Sequence, residues 1–245
     1  LTENRIIRLN PDGTRDNSFN TGTGFDGGVN SIIIQNDEKI LIGGSFISYN
    51  GINQNGIIRL NTDGSKDNSF NTGTGFDDYV YSVALQSDGK ILVGGYFTTY
   101  KGVTENRIIR LNADGSKDSS FNTGTGFNNS VYSISLQTDG KIIVGGDFTT
   151  YKGITENRII RLNPDGSQDT SFNSGSGFSN GIVRTIAVQT NGSILLGGSF
   201  SNKYNGLNVK RMLRLFSNGT FDSSFPISIN GEVLAIALVK GGALS

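Results

Sequence analysis

Two residue types recur at a spacing that could bind charge. Arg8, Arg59, Arg110, Arg161 and Arg214 each stand eight residues before an acid: Asp16, Asp67, Asp118, Asp169 and Asp222. A phenylalanine follows three residues after every acid, at Phe19, Phe70, Phe121, Phe172 and Phe225. Five guanidinium groups could serve as anion sites. They could equally be scaffold, because an arginine stem buried between packed sheets needs a carboxylate and further hydrogen bonds. The nearest repeated carboxylate is that Asp. The spacing therefore predicts one Arg–Asp clamp per repeat, pinning an outer turn, with the phenylalanine packed between neighbouring sheets.

A second set could recognise a sugar. Tyr49, Tyr100, Tyr151 and Tyr204 each lie two residues before a glycine, with Asn50, Lys101, Lys152 or Asn205 between. A tyrosine ring beside amides, and beside Lys101 and Lys152, could stack on a pyranose, and several such sites would bind with avidity. The competing reading packs each ring across its own loop with the hydroxyl bonded there. A third set, Asn61, Asp63 and Asp67 (likewise Asn112, Asp114 and Asp118), resembles a calcium loop. It offers two or three side-chain oxygens and lacks the closing Glu that a hard cation needs. Turns with side-chain-to-backbone bonds explain these residues better, so no metal site is expected.

The glycine pairs, such as Gly94-Gly95, are no phosphate cradle. They lack the Lys-Ser/Thr of that motif and lie mid-strand, where glycine marks a bulge or close backbone approach. Asn191 and Asn218 open glycosylation-like triplets, but both are turn sequences.

Composition removes much other chemistry. The chain of 245 residues has no Cys, His or Trp. A Ser-His-Asp triad, a cysteine nucleophile and a thiolate or imidazole zinc site are thereby excluded. Lys+Arg and Asp+Glu are both 21, so there is no basic excess for nucleic acid. No apolar run is long enough to insert in a bilayer, and the lack of Cys leaves the redox compartment open. The chain starts at Leu1 with no charged-then-apolar leader, which fits a processed product, an excised domain or the ordered part of something longer; a larger polypeptide or assembly is expected.

The elements that must position these residues form a repeat. The turns Asp12-Gly13, Asp63-Gly64, Asp114-Gly115, Asp165-Gly166 and Asn218-Gly219 recur at intervals of 51, 51, 51 and 53 residues. A glycine pair keeps step at Gly43-Gly44, Gly94-Gly95, Gly145-Gly146, Gly197-Gly198 and Gly241-Gly242. A period near fifty fits one propeller blade. Within one unit, residues 80–86 read as a first strand ending at Ser87-Asp88-Gly89, and 90–97 as a second strand. A loop follows over 98–105, then a third strand over 106–112 and a short outer strand over 119–122.

The expected fold is all-β: a five-bladed β-propeller of four-stranded antiparallel blades, one domain over residues 1–245. The inner and outer strand pairs each occur five times. The third strand at 4–10 and the first and second strands at 233–242 then share one blade (1–25 with 232–245), closing the ring without an open edge. Ser31, Ser82, Ser133, Thr185 and Ala235 in the first strands are small, as close approach around a narrow axis requires.

Taken together, Ser-Asp-Gly-Lys, Ile-Leu-Val-Gly-Gly-x-Phe, Asn-Arg-Ile-Ile-Arg-Leu-Asn and x-Asp-Gly-Ser-x-Asp-x-Ser-Phe resemble the delta-60 repeat β-propeller family over essentially the whole chain. The glycine pair is also similar to kelch repeats, and the order of motifs to NHL repeats; both are propellers. The resemblance implies large secreted or surface-displayed bacterial proteins, or bacteriophage virion proteins, and no catalytic residues. Three departures are local. Asp37-Glu38-Lys39 replaces Asp-Gly-Lys, Gly56 stands where Arg107 and Arg158 stand elsewhere, and the last repeat diverges at Met212, Phe216 and Asn218.

The functional expectation is a non-enzymatic structural or interaction module, surface-displayed or on a virion, that binds a protein partner or host surface. The alternative is a multivalent carbohydrate-binding propeller. An enzyme needs a shielded acid, base or nucleophile, and nearly every Asp here is a repeated turn residue. No cofactor, nucleic-acid partner or membrane insertion is expected. A unique partner is expected at the varied loops Asp26-Gly27-Gly28, Asp77-Asp78-Tyr79, Asn128-Asn129-Ser130 and Ser179-Asn180-Gly181, with Tyr96 and Asp147 nearby.

Overall fold

Runs of β-branched and apolar residues closed by tight turns fold as antiparallel ladders in four repeats. The computed structural model describes residues 5–201, 203–225 and 229–238. The chain divides into two compact units, Leu1–Phe121 and Asn122–Ser245. The first holds β1 (Val29–Ile34), β2 (Ile40–Gly44), β3 (Ser48–Tyr49), β4 (Ile52–Asn53), β5 (Ile57–Leu60), β6 (Val80–Leu85), β7 (Ile91–Gly95), β8 (Thr99–Tyr100), β9 (Val103–Thr104) and β10 (Ile108–Leu111). The second repeats the order: β11 (Val131–Leu136), β12 (Ile142–Gly146), β13 (Thr150–Tyr151), β14 (Ile154–Thr155), β15 (Ile159–Leu162), β16 (Val183–Val188), β17 (Ile194–Gly198), β18 (Lys203–Tyr204), β19 (Leu207–Asn208) and β20 (Met212–Leu215).

Each unit carries two three-stranded sheets: β1-β2-β5 and β6-β7-β10 in the first, β11-β12-β15 and β16-β17-β20 in the second. The hairpin turn between the first two strands is set by its glycine. Gly89 sits at φ +81°, its N–H donates to the Gln86 carbonyl (3.0 Å), and the Gln86 N–H donates to the Lys90 carbonyl (2.8 Å). The glycine pair sits where the first strand bulges, between Val80 and Ser82 opposite Gly95 and Gly94. A Cβ on Gly95 would lie 2.1 Å from the Tyr79 carbonyl oxygen, so only glycine fits.

The long loop expected after the second strand is itself a ladder. β3-β4, β8-β9, β13-β14 and β18-β19 pair across two-residue turns, and Lys101 (φ +50°) and Gly102 (φ +76°) show the geometry. Two successive positive φ angles make a type I′ turn, whose twist matches the flanking strands.

The outer strand expected over 119–122 is a turn instead, and the same holds in the other described repeats. What remains of it is a single bridge, Leu111 to Lys117, repeated as Leu60 to Lys66 and Leu162 to Gln168. The Asp and Ser that follow bond within their own turn and leave the segment no ladder to extend. Residues 5–10 and 233–238 carry no strand, although Leu9 bridges Arg15. Residues 1–4 and 239–245, expected to help close the ring, lie outside the described residues.

The core lies between successive sheets. In the first unit Leu41 and Ile57 of one sheet join Val80, Val83, Ile91, Val93 and Ile109 of the next. In the second, Ile143 and Ile159 join Val183, Ile186, Ile194 and Leu196. The small first-strand residues do more than make room. The Val83 N–H donates to Ser31 Oγ (3.2 Å), Ile186 N–H to Ser133 Oγ (3.1 Å) and Ile236 N–H to Thr185 Oγ1 (3.2 Å). Each hydroxyl therefore accepts an otherwise unpaired amide of the next inner segment.

Candidate functional site

Arg59, Arg110, Arg161 and Arg214 sit on the third strand of their sheets, Arg8 in the equivalent segment without a strand, and each points its side chain at the turn that follows. Arg59 Nε donates to Asp67 (2.7 Å), Arg110 to Asp118 (2.7 Å), Arg161 to Asp169 (2.6 Å), Arg214 to Asp222 (2.7 Å) and Arg8 to Asp16 (2.8 Å). The guanidinium lies over the phenylalanine of its own turn, 4.9 Å from the Phe70 centroid for Arg59 and 4.7 Å from Phe121 for Arg110. Its far nitrogen crosses to the next repeat, where Arg59 Nη1 donates to the Ala113 carbonyl (2.6 Å) and Arg161 Nη1 to that of Ser217. Arg8, Arg59 and Arg161 thus join their own turn to the following one.

The acid has a third partner that the spacing did not reveal. Lys39, Lys90 and Lys141, from the hairpin turn of the same sheet, reach Asp67 (2.9 Å), Asp118 (2.9 Å) and Asp169 (2.7 Å). The signal was the lysine closing each of these hairpin turns, Asp37-Glu38-Lys39, Asp88-Gly89-Lys90 and Asp139-Gly140-Lys141. Burial alone would raise the Asp118 carboxyl; the hydrogen bonds from Lys90, Ser120 and Arg110 outweigh it and hold the group well below the usual carboxylate range. A guanidinium with this many partners is not open to an external anion.

The four tyrosines are not a stacking platform. Tyr49, Tyr100, Tyr151 and Tyr204 are 0–4% exposed. Their hydroxyls donate to the carbonyls of Gly64, Gly115, Gly166 and Gly219 at 2.5–2.7 Å. Each ring packs on a phenylalanine, as Tyr100 does on Phe76 at 4.7 Å, and that phenylalanine packs in turn on Phe97 at 4.3 Å. Burial pushes the Tyr49 hydroxyl up to about 12. Lys101 donates to the Asn71 carbonyl (2.8 Å), and the Lys152 ammonium lies 5.4 Å from the Tyr151 centroid. The four rings are thus buried, and Lys101 is held by a backbone carbonyl. The exposed large apolar residue on each small hairpin is aliphatic: Ile52, Val103, Ile154 and Leu207 are 51–59% exposed, beside exposed polar residues such as Asn53 and Thr104.

The calcium-like oxygens are spent on turns. Asp63 Oδ1 accepts from the Ser65 N–H (2.9 Å) and hydroxyl (2.7 Å), while Asp67 faces the Arg59 cluster. Among the described residues no group of three or more His, Cys, Asp or Glu side chains converges. Asn191 likewise accepts from the Ser193 N–H (3.0 Å).

The varied loops divide into a fixed and a free part. Their first residue anchors the small hairpin: Asp77 accepts from the Thr98 and Thr99 N–H groups, both at 2.8 Å, as Asn128 does from Thr149 and Thr150. The second residue differs in chemistry from loop to loop. Asn129 donates to Asp147 (2.9 Å), whereas the Asp78 carboxylate accepts only the neighbouring Tyr79 N–H (2.8 Å) among the described residues.

A further repeated arginine borders these loops. Arg5, Arg107, Arg158 and Arg211 hold φ between +59° and +69°, and Gly56 takes the same place at φ +72°. Left-handed backbone costs a non-glycine residue on the order of 1–3 kcal/mol, so these side chains must gain something. Arg5 donates to the Phe25 carbonyl (3.0 Å), Arg158 to those of Phe178 (2.9 Å) and Gly181 (2.6 Å), Arg211 to Ser199 and Arg107 to Tyr96. Where Gly56 stands, there is a cavity of about 210 Å³ lined by Ser45, Phe46, Asn55, Phe76, Asp78 and Tyr79, among others.

A family model described as "Domain of unknown function (DUF5122) beta-propeller" matches residues 1–19, 35–70, 86–121, 137–172 and 189–225. Among solved structures the chain is similar to a protein of unknown function from Bacteroides caccae, at 14% identity and TM-score 0.50, over 88% of this chain and 72% of that one. It is also similar to the extracellular domain of BT4673 from B. thetaiotaomicron, at 19% identity and TM-score 0.51, over 92% of this chain and 24% of that one. This chain therefore spans about a quarter of the BT4673 chain. No curated protein matches it.

Proposed function

Because the chain belongs to the DUF5122 β-propeller family, we propose that it is a non-enzymatic interaction module, displayed outside a bacterial cell, that binds a protein partner. We read its repeats as of the delta-60 type, closed into one five-bladed ring in which residues 1–25 and 232–245 share a blade. The equal count of inner and outer strand motifs in the sequence supports that closure. An extracellular domain among the structures of similar fold is consistent with display.

One observation carries the binding reading: the repeated polar side chains are consumed by the scaffold, while the small hairpins expose Ile52, Val103, Ile154 and Leu207. Exposed aliphatic groups beside polar turns suit a protein surface, and aliphatic groups lack the π face on which a sugar ring stacks. The repeated aspartates are held in ion pairs and turns, which supports the non-enzymatic reading. The test combines a glycan array with a peptide array, read for the native chain and for one carrying Ile52→Ser, Val103→Ser, Ile154→Ser and Leu207→Ser. Peptide binding that the variant loses at unchanged melting temperature supports the proposal. Glycan binding that the variant keeps overturns it.

A further inference from the structure

The cavity beside Gly56 has the contours of a missing arginine. The backbone there is that of the arginine repeats: the Gly56 N–H donates to the Phe46 carbonyl (3.0 Å), as Arg107 does to Phe97 (3.0 Å) and Arg158 to Phe148 (2.9 Å). The carbonyls that guanidinium groups take elsewhere have counterparts on its wall. Ser45 corresponds to Tyr96 and Ser199, and Phe76 to Phe25 and Phe178. Among the described residues no side chain donates to the Ser45 or Phe76 carbonyl.

The wall is also more acidic than in its counterparts. Asp78, half-buried and without a cation partner among the described residues, lines the cavity, where the corresponding loops carry Gly27, Asn129 and Asn180. Tyr79, 48% exposed, borders it and offers a ring face. Removing an internal guanidinium and adding a carboxylate at one point leaves acceptors facing solvent without a donor. Planar guanidinium satisfies several such acceptors at once and stacks on aromatic rings, which an ammonium does less well.

We propose that this cavity is a binding site for a guanidinium group, supplied by an arginine side chain of a protein partner. Only the source of the group rests on the protein-binding reading above; the site itself stands on the cavity and its carbonyls. The arginine enters where the chain's own arginine lies in the other repeats, bonds the Ser45 and Phe76 carbonyls and pairs with Asp78.

The test is calorimetric titration of the chain with Nα-acetyl-arginine-N-methylamide. Saturable binding is expected, with the corresponding lysine amide at least several-fold weaker. Gly56→Arg supplies an internal guanidinium at a φ that four repeats already give to arginine, and is expected to abolish binding while the chain stays folded. Asp78→Asn is expected to weaken binding about tenfold, as loss of one charged hydrogen bond does; it decides the matter if Gly56→Arg fails to fold. No saturable binding, or unchanged affinity in Asp78→Asn, overturns the site. Either result leaves the hairpin-tip arrays free to support or reject the protein-binding role.

Discussion

An arginine can be a ligand site or a rivet, and the surroundings decide which. Arg110 and Asp118 have side chains 6% and 8% exposed, whereas Arg8 and Asp16 are 34% and 22% exposed. Removing one partner of a buried pair strands the other charge, at roughly 3–5 kcal/mol. Lys90 still neutralises Asp118, which places Arg110→Met near the lower end, about 3 kcal/mol. For a chain of this size that lowers the melting temperature by roughly 6–12 °C. Arg8→Met is expected to lower it far less, because water screens the exposed pair. Scanning calorimetry of the two variants checks the contrast; equal losses would mean that the guanidinium's burial is irrelevant. The arginine spacing was legible in the sequence because every repeat kept it. The lysine on each acid was not, since its turn is remote in sequence and meets the acid only after the sheet forms.

At the scale of the element, backbone proximity sets the rules. Gly95 faces the Tyr79 carbonyl, and a methyl group would overlap its oxygen. Gly95→Ala is expected to destabilise by about 3 kcal/mol, the upper end for overpacking, through displacement of β6 from β7. Hydrogen exchange should show the loss concentrated in that pair of strands. Uniform loss across both units would show that the bulge is not the weak point. The strand order followed from alternation and turn glycines, which are local properties. Two-residue strands carry no period, so the sequence alone shows the small hairpins only as loop. The outer strand was expected because a blade usually has four; the Asp118 turn, held by Ser120 and Arg110, displaced it.

At the scale of the whole chain, repetition multiplies a modest effect. Asp16, Asp67, Asp118, Asp169 and Asp222 all have their carboxyl pKa lowered. An acid depressed in the folded state stabilises it fully above its unfolded pKa of about 3.9, and that contribution fades as pH falls below it. Melting temperature is therefore expected to be flat near neutrality and to drop steeply below about pH 4. A variant with Asp67, Asp118 and Asp169 all changed to Asn should start lower and show a shallower acid slope. A parallel slope would place the acid sensitivity in other groups.

The amino-acid order alone determined the repeat, its period, the chemistry that is absent and the pairing of arginine with aspartate. These follow from spacing and residue type, which need no partner distant in the chain. Tertiary packing decided which polar groups are available to the outside. It decided between the two readings of the tyrosines, burying their rings between a phenylalanine and the next turn instead of offering them to a sugar. It also made a cavity of one glycine substitution, because an absent side chain becomes a site only when fixed carbonyls and a carboxylate surround the space it leaves.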